Sequence, residues 1–297
     1  MIKKLEISVP GCIGNLGSGF DCMGLSIRWF NRFIFEPSED LSIYVTASGI
    51  ETGQENLCFQ AFEKTCKFVG ACIPNVKITI DAKIPPGAGL GSSGTAIIAG
   101  VLAAFLFSGY KVEVQKIFQI ANQLEGHLDN IAASYLGGLV IVALKNGKAI
   151  WKKVPVRRKT TAVFFIPDKP FSTKQARDLL PDKVPLKDAV FNLSRACFVP
   201  FSFIEGNKEF LAVALEDRLH QPYRKIIYPH YDILYRAALD SGAAGCCLSG
   251  AGPSVVAFCF DEPDRIVKKW TDVADKEKIE GKIKKVKPGG KTTWKVY

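Results

Sequence analysis

A loop with glycine at positions 87, 89, 91 and 94 runs directly into twelve consecutive apolar residues, Ala96 to Phe107. Twelve is short of the roughly 18 residues that cross a bilayer, so the run predicts a helix buried on all sides within a globular core. Such a helix must be covered by other layers, and 297 residues are enough for two domains. A second helical pattern follows from Val114 to Leu124, with apolar residues at 114, 117, 120, 121 and 124. Period-two alternation at Leu5, Ile7 and Val9, at Leu41, Ile43 and Val45, and at Val76, Ile78 and Ile80 predicts half-buried strands. A further strand, Leu139 to Leu144, ends at the turn dipeptide Asn146-Gly147.

The polar, proline-containing stretch from Trp151 to Thr160 places a domain boundary near residue 155, dividing the chain into 1–155 and 156–297. Beyond it, Ala162 to Ile166 predicts a strand, Ser172 to Leu180 and Lys187 to Phe198 predict helices, and Cys246 to Phe260 predicts strand, glycine turn, strand. Both halves therefore mix helix and strand.

The loop reads Pro85-Pro86-Gly87-Ala88-Gly89-Leu90-Gly91-Ser92-Ser93-Gly94-Thr95. Its glycines allow tight turns and expose backbone N–H groups, the helix behind it presents the positive end of its dipole, and two serines add hydroxyl donors. A phosphate is the natural guest, and Gly91→Val is expected to weaken nucleotide binding more than folding. Two other glycine motifs compete. Gly89 to Gly94 satisfies G-x-G-x-x-G with Glu113 about 20 residues on, but Glu113 opens a helical pattern instead of ending a second strand. Gly290-Lys291-Thr292 resembles the end of a P-loop, but Lys285 stands where its first glycine is required.

The charge and cysteine counts exclude other classes. Nine cysteines, an odd number with no C-x-x-C spacing, argue against a disulfide framework or a zinc site and suit a reducing cytoplasm. No leader or spanning segment is evident, so a membrane partner is not expected. The net charge of +10 is concentrated in Arg265 to Tyr297, with eleven basic against four acidic residues. That segment has no stacking aromatic array and reads as a solvated basic tail, so no nucleic-acid partner is expected.

With these features in place, the chain resembles the GHMP small-molecule kinases, whose signature loop P-x-x-x-G-L-G-S-S fits Pro85 to Thr95. Asn15-Leu16-Gly17 with Gly19-Phe20-Asp21 and Gly24-Leu25 is similar to the family's first motif, and Ser249-Gly250-Ala251-Gly252-Pro253-Ser254 to its third. Glu125-Gly126-His127 with Asp129-Asn130, Ser172-Thr173 with Ala176-Arg177, and Asp217-Arg218-Leu219-His220-Gln221-Pro222-Tyr223-Arg224 resemble the homoserine-phosphorylating branch. Departures are Gly11-Cys12 for Ala-Ser or Ala-Thr, Ser18 and Leu128 for prolines, and Gly94 for alanine.

The resemblance implies a two-domain α+β GHMP kinase fold: an N-terminal domain like ribosomal S5 domain 2, a ferredoxin-like C-terminal domain, and a site in the cleft between them, with Ser249 to Ser254 between two strands of the second domain and closing under the phosphate loop. It implies ATP and L-homoserine as substrates and Mg²⁺ held by Ser93 and Glu125, oxygen donors of the kind a hard cation prefers. Arg177 and Arg224 would take the homoserine carboxylate and Asp21 its ammonium, with Asn15, His127 and Asn130 orienting the remainder. Thr173 would lie near the transferred phosphoryl group, completing the catalytic set with Ser93 and Glu125. No general base is assigned, and transfer is expected to rest on electrostatic stabilisation. The sequence leaves open a mevalonate-, sugar- or shikimate-type kinase, a non-catalytic nucleotide- or nucleic-acid-binding module, and the oligomeric state, a homodimer included.

Overall fold

The computed structural model describes residues 2–171 and 173–297, Thr173 by its backbone alone. The first half runs β1 (Leu5–Gly14), β2 (Met23–Pro37), β3 (Ser42–Val45), α1 (Leu57–Phe68), β4 (Val76–Asp81), α2 (Ser92–Phe107), α3 (Val114–Glu125), α4 (Asp129–Leu136), β5 (Leu139–Lys145) and β6 (Lys148–Val154). The second continues β7 (Thr161–Pro167), α5 (Thr173–Asp178), α6 (Leu186–Glu205), α7 (Lys208–Ala214), α8 (Gln221–Arg224), α9 (Tyr231–Asp240), β8 (Gly245–Leu248), β9 (Val255–Cys259), α10 (Pro263–Glu277), β10 (Gly281–Val286) and β11 (Thr293–Val296). Among the described residues, no helix is long and apolar enough to cross a membrane.

The apolar run becomes α2, buried from Gly94 to Phe105 except at Ala96. Its depth depends on a close crossing with α1: a Cβ at Gly100 would lie 2.1 Å from the Cys58 carbonyl oxygen, so no larger residue fits there. Residues of α1, α2, α3, β1 and β4 then share one core with Leu5, Phe33, Phe62, Ile98, Phe105 and Phe118 at its centre. The sheet beneath them is ordered β11-β1-β2-β4-β3, with β5 joining β2 and β6 joining β5. Among the described residues, only β3 and β4 pair in parallel.

A second sheet, ordered β10-β7-β9-β8, is antiparallel throughout. Its strand β7 is buried on both faces, as a near-continuous apolar run requires. Ala162, Phe164 and Ile166 pack toward α6, α7 and the first half's Leu16, Leu25 and Ile27. Val163 and Phe165 pack toward Leu234, Ile266 and Trp270 on the other face. The two halves thus share a core, which fixes the cleft between them.

Two features depart from the sequence reading. Strand β2 is 15 residues long and pairs with β1, β4 and β5. Arg28, Asn31 and Arg32 interrupt its apolar alternation, and Asn31 is buried because its side chain donates to Thr95 Oγ1 at 2.9 Å and accepts from Ile84 N at 2.9 Å. The basic segment after Arg265 is not a solvated tail: it forms most of α10, then β10 and β11. Ile266 and Trp270 carry α10 into the core while its lysines stay outside, and β11 returns to the first sheet to pair antiparallel with β1.

Candidate active site

The glycine loop is clamped from both halves. Gly91 caps α2 with φ +72°, a left-handed conformation that glycine adopts without strain. Behind it the Cys12 N–H donates to Leu90 O at 3.0 Å. In front, Ser249 Oγ donates to Gly89 O at 2.7 Å, and a Cβ on Gly89 would lie 2.3 Å from Ser249 O. The Ser249–Ser254 turn between β8 and β9 therefore closes under the loop, as the sequence reading expects. One expectation changes: a Cβ on Gly91 would lie 2.4 Å from Cys12 Sγ, so Gly91→Val would impair folding as well as nucleotide binding. Gly94 has room for a methyl group, the nearest atom being Ile131 Cδ1 at 3.5 Å.

The loop forms one wall of a cleft with about 940 Å³ of empty space, lined also by Ile50, Leu57, Ala96, Glu125, Asn130 and Gly250. Of the loop residues, Pro85 to Ser93 face this space, while Gly94 and Thr95 belong to the buried start of α2. Its apolar end, at Ile50, Leu57, Pro85 and Pro86, suits a flat ring, and its loop end suits phosphates. Among the described residues, no lysine or arginine lines it. Phosphate charge there must be met by backbone N–H groups, the α2 dipole and a cation. Ser93 Oγ donates to Glu125 Oε1 at 2.8 Å, so two hard oxygen donors, separated by 32 positions in sequence, meet at the cleft. That pair fits Mg²⁺.

Beside the cleft lies a cluster of charged groups. Arg177 Nη2 donates to both Asp21 carboxylate oxygens, at 2.8 and 3.0 Å. The buried Arg224 lies with its guanidinium carbon 5.4 Å from the Phe20 ring centroid, and that of Arg177 lies 5.7 Å from the same ring. Arg224 Nε donates to Ala176 O at 3.3 Å and Nη1 to Gly250 O at 3.4 Å. Among the described residues, its Nη2 makes no hydrogen bond. Burial first, then the charge of Arg177, lower its pKa against the opposing pull of Asp21, although a guanidinium remains charged.

His127 Nδ1 meets Asp129 Oδ1 at 2.7 Å, and the buried Asp129 also accepts from Asn15 N at 3.2 Å. Burial pulls the His127 pKa down, but the hydrogen bond and charge of Asp129, aided by Glu125 and Asp21, outweigh it and leave the pKa raised. Asn15 and Asp21 both have positive φ, at 68° and 54°. Strain of this kind gathers at functional sites. Asn15 Oδ1 accepts from Asp21 N at 3.0 Å and Nδ2 donates to Gly250 O at 2.9 Å, so its amide holds the loop that presents Asp21. Asn130 Oδ1 accepts from Cys12 Sγ at 3.2 Å at the edge of the cleft. The expectation for Thr173 concerns a side chain outside the described residues, and Ser172 lies outside them altogether.

Sequence reasoning assigned no role to Asp129, Asp217 or His220, although all three stand in the quoted motifs. Asp217 accepts from the backbone N–H groups of Leu219, His220 and Gln221 and from Asn192 Nδ2, which builds the turn into α8. His220 Nε2 lies 2.8 Å from Gly17 O, and its Nδ1 lies 3.1 Å from Arg224 Nη1. Arginine can only donate, so Nδ1 accepts, Nε2 carries the proton, and the ring is neutral. Burial, then the charge of Arg224, lower its pKa against the pull of Asp217. A depressed histidine contributes stability above its unfolded pKa of about 6.5, which is lost as pH falls toward the folded value. The melting-temperature difference between wild type and His220→Gln should therefore be larger at pH 7 than at pH 5 by scanning calorimetry. His127 acts in the opposite sense in both proteins and cancels in the difference.

Two family models match the chain: the GHMP kinases N terminal domain over residues 56–138 and the GHMP kinases C terminal over residues 203–276. The homoserine kinase of Caldicellulosiruptor bescii is 38% identical over 258 residues, 86% of this chain and 84% of that one. That of Halothermothrix orenii is 36% identical over 267 residues, 88% and 86% of the two chains. Among solved structures, homoserine kinase from Cytophaga hutchinsonii superposes with a TM-score of 0.86 at 24% identity, covering 100% of this chain and 98% of that one. The L. major mevalonate kinase in complex with R-mevalonate has the same fold at a TM-score of 0.69 and 17% identity, over 95% of each chain.

Proposed function

The chain belongs to the homoserine kinases of the GHMP kinase family, and on that premise we propose how its residues carry out the reaction. The enzyme transfers the γ-phosphoryl group of ATP to the side-chain hydroxyl of L-homoserine, giving ADP and O-phospho-L-homoserine for threonine biosynthesis. The other substrate types that the sequence left open, and the non-catalytic module, are not favoured: the relatives of 36–38% identity are homoserine kinases, and the mevalonate kinase is alike in fold alone, at 17% identity. Nine free thiols favour the cytoplasm as the place of the reaction.

The adenine takes the apolar end of the cleft, and the triphosphate lies along the N–H groups of Gly87 to Ser93 at the start of α2. Ser93 and Glu125 hold Mg²⁺. When bound, the ion neutralises charge on the phosphates, which a cleft lined by no lysine or arginine leaves to it and to the backbone. Thr173 stands at the transferred group by resemblance alone.

Homoserine is a zwitterion, and the Asp21–Arg177 pair beside the buried Arg224 is the observation that carries the reading. The substrate carboxylate takes Arg177 and the Nη2 of Arg224, which makes no hydrogen bond among the described residues, while its ammonium takes Asp21. The existing ion pair opens onto two new partners, and no charge is left alone. Gly250 connects this cluster to the cleft: its carbonyl accepts from Asn15 and Arg224, and it lines the nucleotide side. Asn130, on the same border, and His127 orient the substrate between them. His127 is held through Nδ1 by Asp129, and we assign no general base, leaving transfer to electrostatic stabilisation.

Homoserine methyl ester and N-acetylhomoserine each lose one of the two charges. Their kcat/KM should fall by about 30-fold or more, the low end of the cost of breaking such a charge-assisted contact. Phosphorylation of either analogue as efficiently as homoserine would remove the zwitterion reading.

A further inference from the structure

Tyr228 lies beyond the motif that ends at Arg224, in the connection from α8 to α9, and is only 2% exposed. A tyrosine buried this deeply needs a partner for its hydroxyl. That partner is Ala251 O, which accepts from Tyr228 Oη at 2.9 Å. Burial pushes the Tyr228 pKa up to about 12 against the opposing charge of Arg224, so the hydroxyl keeps its proton and donates throughout the neutral range. The ring lies against the next residue of the same turn. A Cβ on Gly252 would come 2.3 Å from Tyr228 Cε2, so no larger residue fits there.

One short stretch of chain therefore holds the Ser249–Ser254 turn from behind. Arg224 Nη1 donates to Gly250 O at 3.4 Å, Tyr228 to Ala251 O, and His230 Nε2 to Pro253 O at 3.1 Å. On its other side the turn faces the nucleotide: Ser249 Oγ donates to Gly89 O at 2.7 Å, and Gly250 and Ala251 line the cleft. Tyr228 also reaches the phosphate loop by a second route. Phe171 meets its ring edge-on, with centroids 5.6 Å apart and planes at 87°, and the Phe171 N–H donates to Gly87 O at 3.0 Å. Gly87 and Gly89, both on the loop, are thus tied to elements that pack on Tyr228, while Tyr228 itself stands behind the lining of the cleft.

We propose that Tyr228 is a positioning residue for the nucleotide: its hydroxyl and ring set the Ser249–Ser254 turn, and through the turn the phosphate loop. The proposal rests on the reading of the cleft as the ATP site. Tyr228→Phe keeps the ring and its packing against Gly252 and Phe171 but leaves Ala251 O without a donor. A buried carbonyl left unpaired turns toward water, and the water nearest Ala251 is in the cleft, so the turn should shift into the space of the phosphates. Calorimetric titration with the β,γ-imido analogue of ATP and Mg²⁺ should show binding weakened by about fivefold or more, corresponding to one buried hydrogen bond. The KM for ATP should rise in parallel. Turnover at saturating ATP and the KM for homoserine should stay close to wild type, because Gly250 O, which borders the homoserine cluster, keeps its own donors Asn15 and Arg224. Ser249→Ala cuts the same path at its other end, so the affinity lost in the double variant should fall well short of the product of the two single losses. Losses that multiply would put the two residues on independent paths and overturn the proposal. Wild-type nucleotide affinity in Tyr228→Phe, whatever its melting temperature, would also overturn it and reduce Tyr228 to packing. Either result leaves the ATP reading of the cleft standing, whereas a wild-type chain that does not bind the analogue would remove both.

Discussion

Glu125→Gln should lower turnover by two or more orders of magnitude while leaving the KM for homoserine within a few-fold of wild type. The substitution keeps the size and the 2.8 Å hydrogen bond from Ser93 Oγ but removes the charge that attracts Mg²⁺. Because the cleft lining supplies no lysine or arginine, no cationic side chain there can take over the charge of the ion. The loss should shrink as Mg²⁺ is raised, since a weakened site fills at higher concentration. Steady-state kinetics across a Mg²⁺ titration would check this, and near-normal turnover at ordinary Mg²⁺ would place the metal ligand elsewhere.

Arg177→Lys and Arg224→Lys should raise the KM for homoserine steeply, on the order of 30-fold or more, while the KM for ATP barely moves. The two should differ in stability. Arg177 is exposed, and among the described residues its ion pair is with Asp21, so its replacement should leave the melting temperature near wild type. Arg224 is buried and donates to Ala176 O, Gly250 O and His220 Nδ1, which a lysine amine cannot satisfy together. Its variant should therefore lose stability as well, by about 2 kcal/mol or more. Toward homoserine methyl ester both variants should resemble wild type, because the partner of the lost guanidinium is already absent. Unchanged homoserine kinetics in both variants would exclude the clamp.

The two substitutions act on parts of the site that were legible in the sequence to different degrees. The Ala96–Phe107 run had one reading, a buried helix, and the glycines before it marked the phosphate loop. The Ser249–Ser254 turn was placed under that loop by resemblance, and the hydrogen bond from Ser249 to Gly89 joins them. Strand β2 escaped because Arg28, Asn31 and Arg32 interrupt its apolar alternation. The Arg265–Tyr297 segment was misread because its charge count conceals the few apolar anchors, Ile266 and Trp270, that determine its packing. In the site, Asp21 and Arg177 were each identified as substrate ligands, but their pairing across 156 positions is a tertiary fact. Asp129, Asp217 and His220 escaped for a related reason. They act on other residues, holding His127, the α8 turn and Arg224, and such a role depends on where neighbouring elements pack.

The central claim is that a phosphoryl-transfer cleft and a zwitterion-binding cluster act together on one amino-acid alcohol. It is tested most directly by ADP release from the purified chain with ATP and Mg²⁺, offered in parallel L-homoserine, mevalonate, galactose and shikimate. Only homoserine carries both a carboxylate and an ammonium. Rapid ADP release with homoserine, accompanied by stoichiometric O-phospho-L-homoserine, and only background release with the other three is the predicted result. Equal or faster turnover of any of the others, or no ADP release with homoserine, would contradict it.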